Sequence, residues 1–190
     1  MSRAETSVPT LSLPPTLPDL LRPGLDLVFV GINPGEASAR LGHYYGHPGN
    51  AFWRLLSGSP LVARTVTAPD DRALLDEGIG FTDVVKRVVT DSTQITADEL
   101  RAAIPAFLKR LRCAAPRAVC FTGARQFAAI YPRDWHARGW GMQPVPPLAG
   151  AAVWVIPSTS GRAAGYHGET AAVLRALAAS LGRTRAKDGR

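Results

Sequence analysis

The sequence has little cysteine and no long apolar run, and both shortages limit what it can encode. Cys113 and Cys120 are its only cysteines, so we expect neither a disulfide framework nor a zinc site built on paired cysteines. No stretch reaches the roughly 18 apolar residues that a membrane-spanning helix needs. The first 15 residues carry one arginine and no apolar segment, unlike a secretory signal. We therefore expect a cytoplasmic protein, not one embedded in a membrane.

Acidic side chains are scarce in the second half of the sequence. Residues 1–100 hold 8 basic and 12 acidic side chains, whereas residues 101–190 hold 14 basic and 3 acidic ones. The formal net charge of the whole chain is +7. Such an imbalance favours a polyanionic partner, either a nucleic acid or an acidic membrane surface. A general bias of the composition towards arginine explains the imbalance equally well at this point, because arginine supplies 19 of the 22 basic residues.

Length and composition are those of one globular domain with short extensions. A chain of 190 residues with 46% hydrophobic residues can bury a core without crosslinks. Residues 1–24 contain five prolines, which interrupt helices and strands, and we predict a loose N-terminal arm there. Residues 25–182 form the predicted domain. Residues 183–190 are polar and basic, and we predict a frayed tail.

Short apolar runs alternate with helical patterns along the predicted domain. The strand predictions cover residues 25–31, 117–123 and 151–157, each rich in residues that favour β-structure. The helix predictions cover residues 50–57, 124–131 and 169–181, together with a helix that begins after the capping residue Thr96. This alternation predicts an α/β fold with a mainly parallel sheet flanked by helices. Ligands of such sheets bind beyond the carboxyl ends of the strands.

Three polar segments are candidates for a site, and the first of them follows the predicted strand at residues 25–31. Asn33 lies in Gly-Ile-Asn-Pro-Gly (31–35), which is also an ordinary β-turn sequence, and the turn is the favoured interpretation for this segment alone. Tyr44 and Tyr45 lie in a loop rich in glycine and proline, where tyrosine rings suit stacking on a planar base. Asp83 stands among apolar neighbours in residues 80–87. A solvated turn, or a salt bridge to Lys86 or Arg87, is the alternative there.

Taken together, four segments resemble the mismatch-specific uracil/thymine DNA glycosylase family of the uracil-DNA glycosylase superfamily. They are GINPG (31–35), HPGNAFW (47–53), GFTDVVKR (80–87) and PSTSGR (157–162). In order and spacing the resemblance covers about residues 25–182. It implies a three-layer α/β/α fold with a mainly parallel central sheet. It also implies an enzyme that flips a nucleotide out of double-stranded DNA and cleaves its N-glycosidic bond, without metal or organic cofactor.

The resemblance also implies roles for individual residues. Asn33 falls on the family's catalytic asparagine, which positions the attacking water. Tyr45 falls on the aromatic residue that stacks against the flipped base, and Ile32 and Gly35 line the base pocket. Ser38 falls at the position facing the 5-carbon of the pyrimidine. A serine there resembles the bacterial members that prefer uracil, so we expect uracil to be favoured over thymine.

Two residues depart from the family pattern. The loop that enters the minor groove corresponds to Ser158, Ser160, Gly161 and Arg162, and Arg162 stands where an apolar wedge is expected. The preference for the opposite base is therefore open. Asp83 stands where relatives carry an amide or lysine, and we hypothesise that it shares catalysis with Asn33 and broadens the substrate range. Asp91 is a second candidate, with a turn-forming role as the favoured interpretation.

The expected function is that of a monomeric, monofunctional glycosylase acting on uracil or mismatches in DNA. The alternatives are a broader glycosylase that acts on single strands or deaminated purines, and a nucleic-acid-binding module without turnover. No serine nucleophile motif favours a small-molecule hydrolase. We expect Arg110 and Arg112 to be solvated. Phosphate contacts are expected from arginines at the pocket rim, namely Arg40, Arg87, Arg125 and Arg162.

Overall fold

The computed structural model describes residues 16–132 and 139–183, and these form alternating strands and helices. The strands are β1 (Leu27–Gly31), β2 (Ile79–Asp83), β3 (Ala118–Thr122), β4 (Gly141–Met142) and β5 (Ala152–Ile156). The α-helices are α1 (Glu36–Leu41), α2 (Phe52–Ser57), α3 (Ala97–Ala114), α4 (Ala124–Ile130) and α5 (His167–Ser180). Within these ranges no helix is both long and apolar enough to cross a membrane.

The sheet has the strand order β2-β1-β3-β5-β4, and every pairing is parallel except that of β4 with β5. Successive side chains of a strand point to opposite faces. On β1, Leu27 and Phe29 accordingly pack with the side chains of α2 and α5, while Val28 and Val30 pack with those of α3 and α4. The sheet thus lies between two helical layers, which confirms the predicted α/β class and its mainly parallel sheet.

Helix α3 follows the prediction closely. The Thr96 hydroxyl accepts a hydrogen bond from the backbone N–H of Glu99 at 3.1 Å, as an N-cap does. Leu100, Phe107 and Leu111 are buried against the sheet, and Ile104 and Leu108 are partly buried beside them. The helix ends at Ala114 and a short connection leads to β3 at Ala118, so its last turn lies at the amino ends of the parallel strands.

Strand β2 was not among the predicted strands. All five of its residues are buried, including Gly80, Thr82 and Asp83, which interrupt the apolar pattern in the sequence. Gly80 is required by close packing, because a Cβ there would lie 2.6 Å from the carbonyl oxygen of Leu20. Because these residues are small or polar, the sequence of this segment does not reveal that it is a buried strand of a parallel sheet.

Residues 16–24 and Arg183, which lie within the two predicted extensions, contact the rest of the domain. Leu17 is buried, and Leu20 exchanges two backbone hydrogen bonds of 2.9 Å with Phe81, so residues 16–24 cover the outer edge of β2. At the other end, Arg183 donates to the carbonyl of Leu61 and to the carboxylate of Asp26. The remainder of the predicted arm (1–15) and tail (184–190) lies outside the described residues.

Candidate active site

A cavity of about 690 Å³ opens at the carboxyl ends of β1, β2 and β3. This is the edge at which parallel α/β sheets bind their ligands. The cavity is lined by the ten residues that the sequence assigned to the site, namely Ile32, Asn33, Gly35, Ser38, Tyr45, Asp83, Ser158, Ser160, Gly161 and Arg162, and also by the further candidates Tyr44 and Asp91. The fold therefore brings four segments that are distant in sequence to a single concave surface.

The Asn33 side chain is held in one orientation by backbone carbonyls. Its amide nitrogen donates to the carbonyl oxygens of Pro34, at 2.8 Å, and Val89, at 2.9 Å. Both partners are acceptors, so the nitrogen and not the oxygen of the amide must face them. The two N–H groups are thereby used, and Oδ1 is left to accept a hydrogen bond from a water molecule. Asn33 can orient water but is too weak a base to take its proton.

Asp83, the last residue of β2, brings an ionisable group into the same cavity. Asp83 is only 4% exposed, and its Oδ2 atom has no hydrogen-bond partner within the described part of the chain. Burial raises the pKa of the Asp83 carboxyl to about 7, although the positive charges of Lys86 and Arg110 lower it. The carboxyl group can therefore gain and lose a proton near neutral pH.

Neither of the structural alternatives for Asp83 fits this geometry. A solvated turn is wrong, because the residue ends a buried strand. A salt bridge to Lys86 or Arg87 is also wrong, since Lys86 Nζ lies 2.9 Å from Asp19 and Arg87 Nε lies 2.8 Å from Glu99. Desolvation without a paired cation is what distinguishes this carboxyl group.

The approach of β1 to β2 depends on a glycine. Gly31 is opposite Asp83 in the parallel register, and a Cβ at residue 31 would lie 2.2 Å from Asp83 Oδ1 and 3.9 Å from the Tyr45 hydroxyl. A real side chain at this position would have to displace the carboxyl group. The glycine that opens the 31–35 segment therefore makes room for Asp83.

Tyr45 is held rigidly in the cavity wall. It adopts a positive φ of 51°, which is uncommon for a residue with a side chain. Its ring stacks on Phe52 with centroids 3.9 Å apart and planes 19° apart. Its hydroxyl lies 3.1 Å from Thr122 Oγ1, which donates to the Val30 carbonyl, so the tyrosine is the donor. Burial raises the pKa of the phenol well above 10, so it stays neutral.

Two residues that support Tyr45 were not identified from the sequence. Thr122 ends β3, and the rule that polar residues at carboxyl strand ends line sites would have found it. Asp71 is fully buried, accepts from the backbone N–H of Tyr44 at 2.9 Å, and lies 3.0 Å from His43 Nδ1. No sequence signal marks Asp71, because its partners are about 28 residues away.

Ser38 joins helix α1 to the loop that carries Tyr45. The hydroxyl of this buried serine accepts a hydrogen bond from the backbone N–H of Gly46 at 3.0 Å. The serine oxygen is therefore fixed in position, while its hydrogen is directed elsewhere. Ser38 contributes both to the cavity lining and to the stability of the tyrosine loop.

Residues 18–182 match the family model of the Uracil DNA glycosylase superfamily. The chain belongs to this superfamily. A solved structure with a similar fold is the solution NMR structure of a candidate uracil DNA glycosylase from Methanosarcina acetivorans. It has a TM-score of 0.50 and 22% sequence identity, and the match covers 85% of this chain and 96% of the other. Membership of the superfamily makes the chain a DNA glycosylase by class, and DNA its partner.

The rim of the glycosylase cavity is formed by two loops that are tied together. The backbone N–H of Ala51 donates to the carbonyl of Thr159 at 2.9 Å, which joins the loop at 47–51 to the loop at 157–162. Arg162 is exposed at the end of the second loop. The hydrogen bonds from Thr93 lower the pKa of Asp91, and the positive charges of Arg162 and Arg125 lower it further. Asp91 accepts from the backbone N–H of Thr93 at 3.0 Å and so has the local structural role that the sequence favoured.

The arginines predicted to contact phosphates differ in their surroundings. Arg40 and Arg162 are exposed and line the cavity mouth. Arg87 is paired with Glu99, and Arg125 donates to the carbonyls of Ser92 and Ile95. The structure therefore leaves Arg40 and Arg162 as the better placed cations. Arg110 is not solvated as predicted, because its Nη2 donates to the carbonyl of Asp83 at 2.8 Å.

Proposed function

We propose that this chain is a monofunctional glycosylase that flips uracil out of DNA and hydrolyses its N-glycosidic bond, leaving an abasic site. The observation that carries the proposal is that Asn33 and Asp83 line the same cavity. Asn33 presents a fixed amide oxygen to water, and Asp83 presents a buried carboxyl group with a pKa of about 7. We further propose that the enzyme is a cytoplasmic monomer that uses neither metal nor organic cofactor.

The reaction requires the base to leave the duplex before chemistry begins. The sugar C1′ and the base edge are inaccessible in the stack, so the nucleotide must rotate into a pocket. In the proposed complex the flipped base stacks on Tyr45, whose ring is braced from behind by Phe52. Because Tyr45 is already held by Thr122 and Phe52, the stacking surface is preformed and little ordering is needed on binding.

The proposed hydrolysis follows a dissociative path. The C1′–N1 bond breaks and its electron pair leaves with the base, which gives an oxocarbenium-like sugar and a uracil anion. Water held by Asn33 Oδ1 then forms the new C1′–O bond. The ionised Asp83 carboxylate accepts the proton that the water loses and also offsets the positive charge on the sugar. No lysine stands at a matched catalytic position, so we expect no Schiff base and no strand cleavage.

The pocket also suggests a preference among bases. In the proposed complex Ser38 faces the 5-carbon of the pyrimidine, where thymine carries a methyl group and uracil a hydrogen. The serine is fixed by its bond to Gly46, so it cannot easily yield to the methyl group. Uracil is therefore the expected substrate, with mismatched thymine removed more slowly. Ser158, Ser160, Gly161 and Arg162 form the proposed minor-groove loop.

A broader glycosylase is the second candidate, and Asp83 is the observation that favours it. A carboxyl group with a pKa of about 7 can assist departure of bases that are poorer leaving groups than uracil. Hypoxanthine belongs in the test for this reason, and single-stranded uracil tests whether the substrate range extends beyond duplex DNA.

The test is abasic-site formation by the purified full chain. The substrates are uracil opposite guanine, uracil opposite adenine, thymine opposite guanine, hypoxanthine opposite thymine, and single-stranded uracil, each followed by alkali treatment. We expect cleavage after alkali for the uracil substrates, and no cleavage without alkali. Excision of hypoxanthine would favour the broader candidate. Absence of abasic sites from every substrate would contradict both and leave a nucleic-acid-binding module.

A further inference from the structure

A carboxylate outside the cavity holds together the groups that surround Asp83. Asp19 lies in the segment before β1, and its Oδ1 accepts from Thr82 Oγ1 at 2.6 Å and from Lys86 Nζ at 2.9 Å. Its Oδ2 lies 3.0 Å from Arg110 Nε. The side chain is only 20% exposed. One carboxylate thus joins the end of β2, the segment after it and helix α3.

These partners flank Asp83 on both sides of the chain. Thr82 precedes it, Lys86 follows three residues later, and Arg110 donates through Nη2 to the backbone carbonyl of Asp83 itself. The neighbouring Leu20 is paired with Phe81 through two backbone hydrogen bonds. The Asp19 segment therefore determines where the carboxyl end of β2 lies, and with it the position of Asp83.

Asp19 also balances the charges that face Asp83. The cations Lys86 and Arg110 lower the pKa of Asp83, whereas Asp19 raises it. The other titratable groups in electrostatic contact are the phenols of Tyr44 and Tyr45, which burial keeps neutral. Removing the Asp19 charge would leave two unbalanced cations beside Asp83 and favour its ionised form.

We propose that Asp19 is a positioning residue of the active site, which holds Lys86 and Arg110 so that the Asp83 carboxyl group keeps both its place and its proton-exchanging role. The chemical part of this role rests on the proposed glycosylase function. The placement part does not, since it concerns the free protein.

The first test is a ¹³C NMR titration of the carboxyl groups of the full chain. We expect the Asp83 resonance, assigned by its loss in Asp83→Asn, to titrate at a pH lower by about half a unit to one unit in Asp19→Asn. Asp26→Asn is the matched control. Asp26 pairs with two arginines, Arg117 and Arg183, beside the amino end of β1, and should leave the Asp83 midpoint unchanged. An unchanged midpoint in Asp19→Asn overturns the proposal.

The second test is the pH profile of single-turnover uracil excision. Asp19→Asn should shift the limb that depends on Asp83 to lower pH and reduce the plateau rate several-fold, whereas Asp26→Asn should leave the profile unmoved. Equal profiles for wild type and Asp19→Asn would contradict the proposal. If the wild type excises nothing while the NMR midpoint still shifts, the proposed function fails and the coupling of Asp19 to Asp83 stands.

Discussion

Asn33 and Asp83 provide complementary groups within one cavity. The amide of Asn33 is oriented by the Pro34 and Val89 carbonyls, so its oxygen is directed by the backbone and does not depend on pH. Asp83 is the reverse case, since its charge changes near neutrality because it is desolvated. An orienting group and an ionisable group together provide what water activation requires.

The buried Asp83 should make the stability of the protein depend on pH. Its pKa is about 7 when folded and about 3.8 when unfolded, so between these values the folded state retains a proton that the unfolded state has lost. Stability contributed by this proton is complete below pH 3.8 and is lost as the pH rises to 7. The full difference corresponds to about 4 kcal/mol in the free energy of unfolding.

Urea unfolding of wild type and Asp83→Asn at pH 5 and pH 8 measures this effect. The asparagine variant should gain stability relative to wild type on going from pH 5 to pH 8. Asp70→Asn is the control, because hydrogen bonds from Thr67 lower the pKa of Asp70 to about 2. Its carboxyl group is therefore ionised in both the folded and the unfolded state from pH 5 to pH 8, and its stability difference from wild type should not change over this range. A wild-type minus Asp83→Asn difference that does not change with pH would show that Asp83 is not held in a desolvated state.

Orientation is the part of the site that residue types do not reveal. The family motifs identified Asn33, Tyr45 and Asp83 as candidates. The direction of the Asn33 amide, however, depends on Val89, which is 56 residues away. The donor role of the Tyr45 hydroxyl depends in the same way on Thr122. Such contacts arise from the fold and leave no local pattern.

At the scale of elements, the position of the site follows from the parallel sheet. Three of the four parallel strands could be predicted, because their apolar runs suit burial on both faces. Strand β2 was missed, since Gly80, Thr82 and Asp83 are polar or small and yet buried. The polar character of this strand arises from the site it builds. The same feature that gives the strand its function therefore concealed it in the sequence.

The loop that ends in Arg162 is expected to act only on duplex DNA. Removing a base from a duplex leaves a gap that an inserted side chain can fill, whereas a single strand has no such gap. Arg162→Ala should therefore slow uracil excision from duplex DNA, by about tenfold, while single-stranded uracil is less affected. The measurement is single-turnover excision from both substrates. Arg112→Ala, on the far end of α3, is the control. An equal loss on both substrates would argue against a gap-filling role.

At the scale of the whole molecule, the positive charge is only partly available for DNA. Several arginines of the basic half are engaged within the protein, including Arg110 with Asp19 and Arg117 with Asp26. Arg40 and Arg162 remain exposed at the mouth of the cavity. Net charge alone therefore overstates the binding surface and does not locate it.

The salt dependence of DNA binding tests this distinction between arginines engaged within the protein and arginines available to DNA. Each lost phosphate contact should reduce the magnitude of the slope of log K against log salt by about 0.9. Arg40→Ala and Arg162→Ala should each show this reduction, because their side chains face the cavity mouth. Arg112→Ala removes the same charge at the opposite edge of the sheet and should leave the slope close to that of wild type. Equal slopes for all three variants would place the DNA elsewhere on the surface.

Single-turnover excision of uracil opposite guanine, comparing wild type with Asn33→Ala, tests the central proposal most directly. Asn33 is half-buried, and its replacement by alanine removes two hydrogen bonds, to the carbonyls of Pro34 and Val89, so a urea unfolding curve checks that the variant folds. We expect wild type to produce abasic sites, and the rate for Asn33→Ala to fall by about 100-fold or more, as when an oriented catalytic amide is removed. Equal rates for a folded Asn33→Ala and wild type, or no excision by wild type, would contradict the account.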